Sequence, residues 1–99
     1  MTTTQTPNTA TTILNQIPAG LRIALGLRDT MDLGNGVQFR ITGTRTVWVT
    51  ITHNAADLYN VKAFTLRSFN ETIRFEATDL YTDQMIAILD QMDRGQIEL

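Results

Sequence analysis

The chain has 99 residues, no cysteine, a net charge of −2 and a hydrophobic fraction of 42%. This length and composition provide for one globular domain with a single core, and the absence of thiols excludes disulfides and a thiolate zinc site. The slightly negative charge gives the molecule as a whole no attraction for nucleic acid or anionic lipid.

The first residues of the chain are rich in threonine. We predict that residues 1–8 form a flexible tail ahead of a single α+β domain over residues 9–99. Asn8 or Thr9 can cap a short helix that ends at about Gln16. The apolar residues on one side of this helix are Ala10, Ile13, Leu14 and Ile17.

The next segment, LRIALGL, follows Pro18 and Gly20, which end the first helix. Leu21, Ile23 and Leu25 alternate with other residues as in a strand, although Leu21 and Leu25 would also share one side of a helical turn. Between the two interpretations we favour a strand or an extended segment.

Four alternating segments follow, and each predicts a strand. Gly34-Asn35-Gly36 and Thr42-Gly43-Thr44 are the first two turn signals. Phe64 and Leu66 break the alternation of the third strand, which indicates a bulge or an edge near Ala63. The residues expected to point into the core are Val37, Phe39 and Ile41, then Val47, Val49 and Ile51, then Tyr59, Val61 and Ala63, and finally Ile73, Phe75 and Ala77.

A last helix is predicted over about residues 79–93, with Thr78 or Asp79 as its cap. Arg94 and Gly95 suit the end of this helix, because a C-terminal helix end favours a base followed by glycine. The apolar residues at helical spacing are Leu80, Tyr81, Met85, Ile88, Leu89 and Met92.

Together these elements predict an α+β fold, an antiparallel meander sheet of four to five strands with a short N-terminal helix and a C-terminal helix on one face. The other face of the sheet is then exposed to water. A helix, three strands and a helix also form double-stranded RNA-binding domains. The start of the last helix here, TDLYTDQM, is acidic and would repel phosphates, which argues against that fold.

The sequence offers little for catalysis. His53, the only histidine, stands at a strand end, where a solvated side chain is the ordinary interpretation. Asp90 and Asp93 suit a solvated helix face better than a metal site. Gly34-Asn35-Gly36 leads into a strand and not into a helix, so it does not predict a phosphate loop. We therefore predict no enzyme, no cofactor, no metal and no small-molecule substrate.

The outer face of the sheet is the candidate surface for function. The alternation that buries Val47, Val49 and Ile51 turns Trp48, the only tryptophan, to that face, where we expect it to be substantially exposed. Trp and Arg are enriched at interface hot spots, and sheet aromatics also stack on single-stranded nucleic acid. Alternatively, Trp48 only covers its cross-strand neighbours. The predicted interaction residues are Arg40, Trp48, Lys62 and Arg74 on the sheet, with Asp83 and Asp90 on the last helix.

Four segments spread over most of residues 12 to 92 together resemble small hypothetical proteins of phages and other mobile elements. They are TILNQIP, NGVQFRI, DLYNV and LYTDQMIAIL. The resemblance rests on structural motifs and implies no activity for particular residues. What it implies is context, because small acidic phage proteins often bind a host complex, as anti-CRISPR and anti-restriction inhibitors do.

We therefore expect a binding protein whose partner is another protein, either a host complex or a second copy in a homodimer. Nucleic-acid binding through the outer sheet face and a structural role in a phage particle are the alternatives. No apolar run approaches the length of a membrane span, and the chain does not begin with a signal peptide. We expect a cytoplasmic protein with no membrane partner.

Overall fold

The alternating segments form a five-stranded antiparallel sheet in the computed structural model, which describes residues 9–41, 46–97 and 99. The strands pair in chain order, so the sheet is an open meander. The predicted tail over residues 1–8 and the turn Thr42-Gly43-Thr44 lie outside the described residues. The strands are β1 (Arg28–Asp32), β2 (Gly36–Ile41), β3 (Val47–His53), β4 (Tyr59–Arg67) and β5 (Asn70–Leu80).

In the described part of the chain, three helices complete the α+β fold: α1 (Thr9–Gln16), α2 (Ala19–Leu25) and α3 (Thr82–Asp93). Their buried residues form one cluster with every second residue of the central strands, which places the helices on one face of the sheet. None of the helices in the described part of the chain is long and apolar enough to cross a membrane. The largest fully buried side chains are Ile13, Ile17, Val37, Phe39, Val49, Ile51, Val61, Met85 and Leu89.

The segment after Pro18 is a helix, so the prediction of a strand over residues 21–27 is wrong. Pro18 stands immediately before the first helical turn, and its carbonyl accepts a hydrogen bond from the amide of Arg22 at 3.0 Å. Gly26 adopts the left-handed conformation at the other end, with a φ of 63°. The amide of Leu27 then reaches back to the carbonyl of Arg22 at 3.1 Å, which is the closing bond of a Schellman motif.

The hairpin of β4 and β5 contains a bulge near Ala63, which is one of the two alternatives that the sequence predicted there, although the extra residue lies on β5. The register of the two strands shifts between Ala63 and Phe64, because Arg74 is an extra residue on β5. Phe75 stands opposite Ala63, but Ile73 stands opposite Phe64 and is 51% exposed. The prediction that Ile73 points into the core is therefore wrong, since the bulge reverses the alternation beyond it.

The last helix begins later than predicted, because β5 continues to Leu80 and α3 starts at Thr82. Asp79 lies in the strand with a left-handed φ of 57°, which a helix cannot contain. The side chain of Gln84 accepts a hydrogen bond from the amide of Tyr81 at 2.9 Å and so satisfies a free amide at the helix start. Tyr81 is 65% exposed and does not belong to the apolar stripe of the helix.

Candidate functional site

Two aromatic side chains lie side by side on the outer face of the sheet. Trp48 on β3 stands opposite Arg40 on β2 and opposite Phe64 on β4. The guanidinium of Arg40 lies 5.3 Å from the centre of the indole, and Nζ of Lys62 lies 5.1 Å from the centre of the Phe64 ring. Each ring is therefore within cation–π distance of a base. Trp48 is more buried than exposed, so the expectation of a substantially exposed tryptophan is wrong.

The two bases of this aromatic cluster are each paired with a carboxylate. A guanidinium nitrogen of Arg40 lies 2.5 Å from Oδ2 of Asp29, and Nζ of Lys62 lies 2.9 Å from Oε1 of Glu71. Asp29 itself has a left-handed backbone conformation, with a φ of 55°, and lies in the irregular part of β1. The outer face around Trp48 thus combines aromatic surface with bases whose charges are balanced within the chain.

The other half of the outer face is polar. The hydroxyl of Thr50 donates a hydrogen bond to Oε1 of Gln38 at 3.4 Å, and the neighbouring side chains form an open depression of about 220 Å³. Its polar composition and shallow shape differ from those of an apolar ligand pocket. The residues that line it are Thr50, Thr52, Asn60, Val61, Lys62, Glu76 and Thr78.

The six predicted interaction residues do not form one surface. Arg74 is the extra residue of the bulge, and its Nε donates a hydrogen bond to the hydroxyl of Thr65 at 3.3 Å. Asp83 is exposed in the first turn of α3. Asp90 lies in the last turn of that helix, where its Oδ2 is 2.9 Å from Nε of Arg94 at the C-cap. The residues that the structure brings together are Arg40, Trp48 and Lys62.

The sequence analysis missed a projecting surface at the tip of the β4–β5 hairpin, residues 65–74, which we call the arm. Leu66 and Ile73 are each about half exposed, and Phe69 at the tip is fully exposed. Ser68 and Phe69 both have positive φ, at 52° and 68°. Such a two-residue turn normally contains Asn-Gly, because a large side chain is strained in that conformation. The aromatic residue inside this turn, Phe69, is the sequence feature that could have revealed the arm.

The opposite end of the sheet is acidic. Because the strands are antiparallel, this end collects residues 31–37, 52–60 and 78–84, which contain four aspartates and no lysine or arginine. We call this surface the acidic end. It also presents the ring of Tyr81, which is 65% exposed. The four aspartates are Asp32, Asp57, Asp79 and Asp83.

Two contacts fix the geometry of the acidic end. The amide nitrogen of the Asn54 side chain donates a hydrogen bond to Oδ1 of Asp79 at 3.0 Å and so ties the β3–β4 loop to β5. Nε2 of His53 lies 2.6 Å from Oδ1 of Asp57, whose side chain is 90% exposed. The histidine therefore contacts one carboxylate, in an open position. Across the described residues, no group of three or more metal-binding side chains comes together.

A comparison of the chain with models of protein families, with curated protein sequences and with solved structures found no match. Its function is therefore inferred from three surfaces of its own: the aromatic cluster on the outer face, the arm and the acidic end.

Proposed function

We propose that this chain is a non-enzymatic binding protein that docks a partner protein on the outer face of its sheet, with Trp48 as the anchor and Phe64 packed beside it. The observation that supports the proposal is the position of these two rings on the face that the helices leave open. Tryptophan and arginine, which meet at Trp48 and Arg40, are the residues most enriched at hot spots.

The charges around the cluster favour a protein over a nucleic acid as the partner. Single-stranded nucleic acid needs free cations along its backbone as well as rings for base stacking. Arg40 and Lys62 both lie next to the rings, but each is already paired with a carboxylate of the same chain. A protein partner needs no such excess of positive charge, and it gains the burial of the part of Trp48 that is still exposed.

The resemblance to small proteins of phages and mobile elements suggests the kind of partner. In that setting the partner is a host complex, the chain acts in the host cytoplasm, and its effect is that of an anti-CRISPR or another anti-defence inhibitor. A structural component of a phage particle is the rival role. Both roles use protein–protein contact, so the outer face serves either one.

The test is capture of a partner from bacterial lysate by the tagged chain and by two variants. We expect Trp48→Ala to lose the partner and Thr52→Ala, which changes the polar half of the same face, to retain it. Loss of the partner from both variants, or from neither, would contradict the proposed anchor.

Gel shifts with single-stranded DNA and RNA over a salt series provide the second test. Binding that weakens steeply with salt would support the nucleic-acid alternative. Detection of the chain in purified virions would favour the particle subunit.

A further inference from the structure

The arm and the acidic end lie at opposite ends of one continuous strand. β5 begins at Asn70 in the arm and ends at Leu80 beside Tyr81, and its 11 residues span roughly 35 Å at the usual rise of a strand. The longest dimension of the molecule is 46 Å. The two surfaces are therefore too far apart to meet within one copy.

The two surfaces are complementary in charge and in apolar character. The arm contains Arg67 and Arg74, neither of which forms an ion pair with a described residue, and its only acid, Glu71, is paired with Lys62. Its tip is the fully exposed ring of Phe69. The acidic end presents aspartates around an exposed tyrosine ring and has no base of its own except a histidine.

We propose that copies of this chain associate head to tail, with the arm of one copy seated on the acidic end of the next. Phe69 then packs against Tyr81 of the neighbouring copy, and Arg67 and Arg74 face its Asp79 and Asp83. Aromatic pairs and opposite charges both stabilise such a contact. A two-fold dimer through either surface is disfavoured, because it would bring arginine against arginine or aspartate against aspartate.

The backbone of the arm supports a binding role for Phe69. A turn that only joined two strands would be best served by Asn-Gly, which adopts positive φ without strain. Phe69 has a φ of 68° and yet packs against none of the residues that the structure describes, as its complete exposure shows. A strained backbone conformation that no packing contact within the fold offsets is typical of residues that contact a ligand or a partner.

The contact is small, so the association is weak and depends on concentration. Each copy has one arm and one acidic end, and a contact between unlike surfaces extends into a chain or closes into a ring. The contact leaves Trp48 and Phe64 free. It therefore does not rest on the function proposed for the outer face.

Sedimentation velocity over a concentration series tests the association, with two variants that each disable one surface. Phe69→Asn removes the ring but tolerates the left-handed turn, and Tyr81→Ser/Asp83→Lys changes the acidic end. For each variant alone, the dissociation constant of self-association should rise about 30-fold, as on loss of an interface hot spot. Each variant should therefore be monomeric at concentrations where the unchanged chain associates. An equimolar mixture should form dimers and nothing larger, since each dimer joins one intact arm to one intact acidic end.

Two controls make the result decisive. Trp48→Ala should associate as the unchanged chain does, and 0.5 M salt should weaken association, because exposed charges are screened. Circular dichroism checks that every variant is folded, and Asp83→Lys alone replaces the double variant if that one is not. The inference is overturned if the unchanged chain stays monomeric up to its solubility limit, if the mixture fails to form dimers, or if either variant associates as tightly as the unchanged chain.

Discussion

Trp48 and Phe64 lie directly opposite each other on β3 and β4, and Phe64 is only 6% exposed although it lies outside the main core cluster. Its burial comes from its neighbours on the outer face, Trp48 across the strand pair and Lys62 above its ring. The tryptophan thus covers Phe64 and offers its remaining surface to a partner. These two roles have different consequences when either ring is removed.

Replacement of Trp48 by alanine should leave the fold intact and lower the free energy of unfolding by about 1 kcal/mol. The variant loses a cross-strand aromatic contact and the cation–π contact with Arg40, but it opens no cavity in the core. Urea denaturation followed by circular dichroism measures the change. A loss of about 3 kcal/mol or more, which is the usual cost of a buried aromatic truncation, would mean that Trp48 is part of the core.

Replacement of Phe64 by alanine should cost more, about 3 kcal/mol, because this ring is almost completely buried. Leu66→Ala is the matched control two residues farther along β4, where a half-exposed side chain should change stability by no more than about 0.5 kcal/mol. Urea denaturation compares both variants, and the fluorescence of Trp48 should move to longer wavelength only in Phe64→Ala. Equal costs for the two variants would contradict the outer-face cluster.

Strict alternation made the central strands predictable. Val37, Phe39 and Ile41 are buried as expected, and so are the corresponding residues of β3. Alternation failed after Pro18, where Leu21 and Leu25 fit a helix and a strand equally well and the capping glycine decides. β1 was not recognised as a strand because all five of its side chains are exposed and no apolar pattern marks it.

The candidate site was also predictable only where the side chains alternate strictly along the strands. Arg40, Trp48 and Lys62 could be placed together because their strands pair without interruption between them. Beyond Ala63 an extra residue changes which face each side chain occupies, so Arg74 was wrongly grouped with them. The size and position of a bulge depend on tertiary packing, which alternation along one strand does not encode.

Gly36 is the subject of a third prediction, because β2 passes very close to β3 at this position. A Cβ added to Gly36 would lie 2.1 Å from the carbonyl oxygen of Ile51 and 2.7 Å from Cα of Thr52. Backbone atoms cannot move aside without breaking the pairing of the two strands. Gly36→Ala should therefore cost about 3 kcal/mol or more.

The matched control for that change is Gly20→Ala, since Gly20 lies within α2 and an added Cβ would meet nothing within 4 Å. Alanine is favoured over glycine in a helix, so this variant should gain up to about 1 kcal/mol. Thermal unfolding compares the two, and 1 kcal/mol corresponds to roughly 4–8 °C for a domain of this size. A Gly36→Ala protein with an unchanged midpoint would contradict the close approach of β2 to β3.

The turn of the arm gives the last prediction, a gain of stability at the expense of self-association. Ser68→Asn/Phe69→Gly places Asn-Gly at two positions whose φ values are 52° and 68°. These residues relieve the strain of the turn, and the removed ring packs against none of the described residues, so the free energy of unfolding should rise by about 1 kcal/mol. The same variant should sediment as a monomer, because it lacks the ring of Phe69. Urea denaturation and sedimentation velocity measure the two effects on one sample. Ser68→Asn alone should gain less stability and associate normally. A double variant less stable than the unchanged chain would mean that Phe69 supports the fold itself.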